Sequence, residues 1–472
     1  MRKSMTFSRT MQKASFFNKI DRKIHKIYLV LAILIGVSLS IFMPLFNEPD
    51  GQYHYTVATN MVGLSNDISA YGEESISTGM TPQIIEYQSG NYFEKYFKNK
   101  IVKMPMKNLP RTQVQQLPSK ESYNFWGHIV PALGVWIGYH IYPSIGVMIV
   151  TARLLSTFVF SLSLFFIIRF IKRGKLFLLI LSLSPVITNS IASLSYDALT
   201  YVLAAATFLI VVNTLISNKI RINTVIQMLI GSVFLYFGAK TNVKLLIVLF
   251  PMVLFVVFFN KQIEKVTVWC HDLFKRKWVL VISIFLTLLV VTGMIFLVYI
   301  KYPNQLFSLY RFVLNFSINM NPLPNTQQIF TGLLVVPNGR YNNMPLWISG
   351  IWYILLVLVI LSEEKITDSR LFSWGSLILF FIGVAGVYYS YMPYYIPSSL
   401  SSLDSLGRIG GLQGRYFTPT LLLLPLFGGN TRFKTKIASE NSIWIFSVVI
   451  IVISNALLLF GTLFGMMYNV HY

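Results

Sequence analysis

The chain is poor in cysteine and poor in charge. One cysteine, Cys270, stands among 472 residues. No disulfide can form within the chain, which excludes a disulfide scaffold. Charged residues make up only 12% of the sequence, about half the share of a soluble domain. Acidic residues are scarcest: 17 Asp and Glu face 39 Lys and Arg, for a formal net charge of +22. A nucleic-acid binder with that charge needs a polar body to display it. Here the body is 54% hydrophobic and 15% aromatic, and mean hydropathy is +0.61. Disorder, a coiled coil and a nucleic-acid partner are thereby excluded. An all-α, polytopic membrane protein remains, with the lipid bilayer as its solvent.

The basic N-terminal stretch, 1–26, carries no cleavage pattern. The first apolar run, 27–46, reads as a retained signal anchor. Further runs fall at 145–171, 176–192, 197–216, 224–239, 245–260, 278–300, 345–361, 371–392, 416–429 and 443–463. The expectation is one integral membrane domain over residues 1–472, with about eleven transmembrane helices. Lys and Arg gather in the N-terminal tail and in the loops near 169–175, 219–221, 261–277, 365–370 and 432–436. With these spans, all of those loops fall on one side, which the positive-inside rule makes cytoplasmic. The excess positive charge is thus mostly an orientation signal. The C-terminus then ends outside, as do the long segments 47–144, 301–344 and 393–415. Within the first of these, Phe125 to Tyr142 is aromatic and amphipathic, and is expected to lie in the membrane interface. No internal repeat or low-complexity linker is visible.

Ionisable residues at a membrane are candidate site residues. The first group is Asn47-Glu48-Pro49-Asp50-Gly51-Gln52-Tyr53-His54, after the first helix. A carboxylate there, Asp50 or Glu48, can serve as general base, and His54 can move a proton or bind phosphate. The same string is also strong turn chemistry. The second group is Ser195-Tyr196-Asp197, which reads equally as a helix cap. The third is Lys240, with Lys244 and Arg153; these suit a lipid phosphate or simple snorkelling to head groups. The fourth runs from Arg408 through Gln413, Gly414, Arg415 and Tyr416 to Pro419; two arginines flanking glycines suit an anionic ligand. Carboxylates near Asp50 can also hold a divalent cation against a phosphate, although nothing fixes a ligand set. His25, His271 and His471 have no partner motif, and no zinc, Walker or hydrolase signature appears.

The string Gln413-Gly414-Arg415-Tyr416-Phe417-Thr418-Pro419 resembles the Q-G-R-Y-F-x-P signature of the predicted-membrane-protein family called domain of unknown function 2142. Other pieces fall in that family's order. Pro49-Asp50 with His54 is similar to its early P-D-E-x-x-H motif, although Gly51 stands where the second acid belongs. Arg153 matches a helix arginine, Ser195-Tyr196-Asp197 an S-x-D pattern, and Lys240 a helix-closing lysine. The family looks like part of the GT-C superfamily of lipid-linked-sugar glycosyltransferases. The resemblance implies a GT-C-like bundle in a bacterial cell membrane. It also implies transfer of a sugar, with inversion, from a polyprenyl-phosphate donor to an extracytoplasmic cell-envelope polysaccharide or teichoic-acid-like acceptor. Asp50 would take the acceptor proton, while Lys240, Arg408 and Arg415 would hold the lipid phosphate. A transporter or flippase of envelope lipids, a polysaccharide polymerase or ligase, and a non-catalytic scaffold belong to other classes with similar composition. Transporters tend to show inverted repeats, and none is seen here.

Overall fold

A computed structural model describes residues 23–69, 92–109, 118–259, 275–301, 329–339, 344–391, 412–430 and 440–468, together with 262, 265, 269, 272, 273 and 342. Arg408 and the basic tail before residue 23 lie outside these residues. Among the described residues the structure is helical, with two isolated β-bridges and no named strand. Six of the described helices are long and apolar enough to cross a membrane. They are α1 (Ile24–Phe42), α4 (Ile145–Phe170), α7 (Asp197–Ser217), α10 (Lys277–Lys301), α12 (Arg370–Tyr391) and the Ser442–Leu463 part of α14 (Glu440–Tyr468). The protein is therefore a multi-pass, all-helical membrane protein.

The eleven expected spans do not all take that form. The expected span 176–192 is two short helices, α5 (Lys175–Ser182) and α6 (Pro185–Ile191). Pro185 causes the break: it starts a helix readily but disfavours helical backbone in the residue before it. Both pieces are buried almost throughout. The break frees the carbonyl of Leu183, which in an apolar bundle needs a donor. Asn455 on α14 supplies one, its Nδ2 donating to Leu183 O at 2.9 Å, while its Oδ1 accepts from the Thr188 hydroxyl at 2.6 Å. The stretch 416–429 is likewise irregular. It holds 3-10 turns at Gly414–Tyr416 and Thr418–Leu423 and the short helix α13 (Leu424–Gly428), with Pro419 and Pro425 removing backbone donors. The helices α8 (Ile222–Gly238), α9 (Leu249–Phe258, after a 3-10 turn at Lys244–Val248) and α11 (Leu346–Ser362) are apolar but shorter. The side chains of α10 are nearly all exposed.

Contacts between chain-distant segments define two ends of the bundle. At one end, Glu363 accepts from the backbone N–H groups of Leu176 and Phe177, which start α5. There too Arg173 pairs with Glu364 at 2.8 Å, and Thr367 bridges to Asn430. This end carries short basic loops. The other end carries the helix α2 (Gly51–Met61) and the N-termini of α4 and α7.

The segment expected in the interface, Phe125 to Tyr142, forms the helix α3 (Tyr123–Ile141). It does not lie apart from the bundle. Ala132 and Val135 are buried in one cluster with Ile145, Met148, Ile149 and Ala152 of α4. The alternation of small and large apolar residues on this face suits close helix packing, and Trp126 and Trp136 remain on the exposed side. Ser122 and Ser144 cap α3 and α4, their hydroxyls accepting from the N–H groups of Asn124 and Val147.

Candidate functional site

Four charged residues from four separate parts of the chain meet at the end of the bundle opposite Glu363. Asp197 opens α7, Lys240 follows α8, Arg415 sits in the 3-10 turn Gly414–Tyr416, and Asp50 precedes α2. Lys240 Nζ lies 2.5 Å from Asp197 Oδ1. Arg415 Nη2 donates to Asp50 Oδ2 at 3.0 Å, and its Nε faces Asp197 Oδ2 at 3.5 Å. Charges this far from water persist only when paired. Two cations and two carboxylates alternate here, so the four groups together are neutral. Burial is unequal: the Asp197 side chain is 13% exposed and that of Asp50 30%.

Local chemistry explains each placement. The Ser195 hydroxyl accepts from the backbone N–H of Asp197 and fixes the first turn of α7. Asp50 adopts a left-handed backbone, φ 58°, as the chain turns from α1 into α2. Its successor, Gly51, stands where the resemblance implies a second acid. A Cβ there would lie 2.8 Å from Phe46 Cα. An acidic side chain is thus blocked at position 51 by the packing of this turn.

Gly414 is demanded just as strictly. A Cβ at 414 would meet Gly332 C at 2.3 Å and Ile329 O at 2.5 Å, so the arginine turn rests directly on backbone. The Thr418 hydroxyl donates to Leu333 O at 2.6 Å and pins the same surface. Gln413 accepts from Tyr416 N–H through its carbonyl and thus shapes the turn. Gly414→Ala is expected to cost about 1–3 kcal/mol by overpacking and to displace Arg415. The check is the thermal midpoint of the purified variant; a wild-type midpoint would refute it.

Aromatic rings surround the cations. Lys240 Nζ lies 4.6 Å from the Tyr196 ring centroid and 4.3 Å from that of Tyr416, within cation–π range. Tyr391 stacks on Tyr416 at 5.7 Å, and Tyr123 meets Tyr196 edge to face at 5.2 Å. Burial pushes the Tyr123 hydroxyl up to about 12, with Tyr53 and Asp197 adding to the shift. It stays protonated at neutral pH and can donate.

A cavity of about 670 Å³ opens beside this group. Lys240, Tyr196, Tyr416, Tyr391 and Tyr123 line its polar end. Leu245, Ile382 and Val387 line the rest, with Gly383 and Gly386 widening the α12 wall. A polar head and an apolar tail can therefore be held in one space.

The remaining sequence-singled residues fall elsewhere. Glu48 and Arg153 pair with each other, and both are buried. Arg153 also donates to Met43 O at 2.8 Å and Pro44 O at 3.0 Å. The pair closes the turn after α1, and neither residue lines the cavity. Lys244 lies over the Tyr236 ring, apart from the cavity.

His54 is fully buried and joins a residue that its sequence context did not mark, His128. Their Nδ1 and Nε2 atoms are 2.8 Å apart, and His128 Nδ1 meets Asn124 O at 2.5 Å. A carbonyl only accepts, so His128 carries its proton on Nδ1 and accepts from His54 Nδ1. Burial holds the His54 imidazole well below its ordinary range, with His128, Arg415 and Lys240 adding to the effect. His54 is therefore a neutral, oriented ring behind Tyr196, which it meets at 4.9 Å. Among the described residues no group of three His, Cys, Asp or Glu is spaced to hold a metal. Of the carboxylates suggested for a divalent cation, Asp50 is paired with Arg415 and Glu48 with Arg153.

Searches of curated proteins and of solved structures returned no match. A family described as a predicted membrane protein, domain of unknown function 2142, matches residues 33–424. That interval includes Asp50, Asp197, Lys240 and Arg415, and the chain belongs to this family.

Proposed function

We propose that the protein is a membrane glycosyltransferase. It would take a sugar from a polyprenyl-phosphate donor and pass it to a cell-envelope glycan or teichoic-acid-like polymer outside the cytoplasmic membrane. The observation that carries this reading is the meeting of Asp50, Asp197, Lys240 and Arg415 beside a cavity that Lys240 and four tyrosines line at one end and apolar residues line at the other. A lipid-linked sugar has that polarity. Its phosphate calls for Lys240 and Arg415, which would stabilise the negative charge that grows on the leaving group. The tyrosines offer faces and hydroxyls to a sugar ring, and the Leu245–Val387 side suits a prenyl chain.

Asp50 is the better base of the two acids, because Asp197 is more deeply enclosed and held by two cations. The acceptor hydroxyl gives its proton to Asp50 as its oxygen bonds to the anomeric carbon. The bond to the donor phosphate breaks, and its electron pair leaves on the phosphate. Attack opposite the leaving group inverts the carbon. An oxocarbenium-like transition state needs only late proton removal, which a carboxylate can provide. This reading takes the irregular passes as further crossings in a GT-C-like bundle of about eleven, with the site end extracytoplasmic. The purified protein in detergent, given polyprenyl-phosphate hexoses and envelope glycans, is expected to release polyprenyl phosphate and label the glycan. Lipid scrambling in liposomes without any transfer would overturn the assignment in favour of a flippase.

A further inference from the structure

The two carboxylates are not held alike. Among the described residues, Asp197 is paired with both cations, while the Asp50 carboxylate is paired with Arg415, through one Nη2–Oδ2 contact of 3.0 Å. Asp197 is enclosed at the start of α7, whereas Asp50 keeps 30% of its side chain exposed on a turn. Arg415 reaches Asp197 with Nε and Asp50 with Nη2, so releasing one need not release the other. A guanidinium presents several donors in one plane and prefers a bidentate oxyanion. Arg415 does not line the large cavity, but it shares a small pocket with Asp197, Lys240 and Tyr416, and the last two also line that cavity. A phosphate bound at Lys240 is therefore one small pocket away from Arg415 and can compete with Asp50 for its Nη edge while Nε stays on Asp197.

We propose that Arg415 is a substrate-exchangeable clasp on Asp50. Without donor, the arginine holds the carboxylate and keeps it from acting as a base. Donor phosphate takes over the Nη edge of Arg415, and Asp50 is freed to face the acceptor hydroxyl. The base thus becomes available only once a lipid phosphate is seated, which guards the donor site against idle proton chemistry and orders binding as donor first. This inference rests on the glycosyltransferase reading and adds to it a competition between substrate and base.

The competition has a distinctive consequence: removing the base should improve binding of the donor's phosphate. Polyprenyl phosphate alone, titrated into the full-length protein in detergent, is the probe. Asp50→Asn removes the charge that competes for Arg415, and its affinity is expected to rise about tenfold, the worth of one charge-assisted hydrogen bond. Asp50→Glu keeps the competing charge and is expected to bind as wild type does. An Asp50→Asn protein that binds no more tightly than wild type overturns the clasp and leaves the transferase reading standing. Equal tightening in Asp50→Glu also overturns it, since charge would then not be the cause. If no form binds polyprenyl phosphate, the donor assignment itself falls, and the clasp falls with it.

Discussion

Asp50→Asn is expected to lower sugar transfer by a factor of about 10²–10⁴, the usual contribution of a positioned general base. The substitution is nearly isosteric, so the turn from α1 into α2 should survive. The amide can still meet Arg415 Nη2 through its oxygen, but it cannot take a proton from an acceptor hydroxyl. Loss should therefore appear in kcat, with membrane insertion unchanged. Lys240 and Arg415 would still hold a donor, so its release by water gives a useful control. Transfer at the wild-type rate would remove Asp50 from the reaction and leave Asp197 as the acid to test.

The second large effect concerns stability. Glu48→Ala leaves Arg153 charged, buried and without its carboxylate, since Met43 O and Pro44 O supply only partial charges. Breaking a buried pair from one side costs about 3–5 kcal/mol. Arg153→Met alone strands Glu48 in the same way. The double variant Glu48→Leu with Arg153→Met removes both charges and should recover much of the loss. The comparison is read from thermal unfolding in detergent across the four proteins. Equal midpoints for Glu48→Ala and wild type would mean that the pair is not part of what holds the turn. Glu48 stands just before Asp50 in sequence and the pair ties that turn to α4, so lost activity in these variants would trace to lost fold.

Composition made the membrane class legible, because 54% hydrophobic residues leave no polar body. The six long helices follow from apolar runs that need no partner to be seen. The broken passes were harder. Leu176 to Ala192 has the apolar length of a span, and only Pro185 marks the interruption that Asn455 answers from across the bundle. Of the site, Asp50, Asp197, Lys240 and Arg415 could be picked out because charge is rare in such a chain. Glu48 and Arg153 carried the same signal for a different reason: tertiary pairing sets them apart from the Asp50, Asp197, Lys240 and Arg415 cluster, and sequence does not. His128, Tyr123 and Tyr391 were hidden in the opposite way. In a chain that is 15% aromatic, a ring beside the site looks like any other.

The matched family interval ends at residue 424, while Asn455 lies beyond it. The same late helix carries Thr462, whose hydroxyl oxygen accepts from Asn342 Nδ2 at 2.9 Å, and Asn342 in turn reaches Asn47 beside the Asp50 turn. The shared signature is therefore shorter than the cooperative unit. A fragment cut at the signature's edge would expose the Leu183 carbonyl to lipid and untie the approach to Asp50. The smallest piece worth expressing includes the final helix, whatever the boundaries of the family pattern.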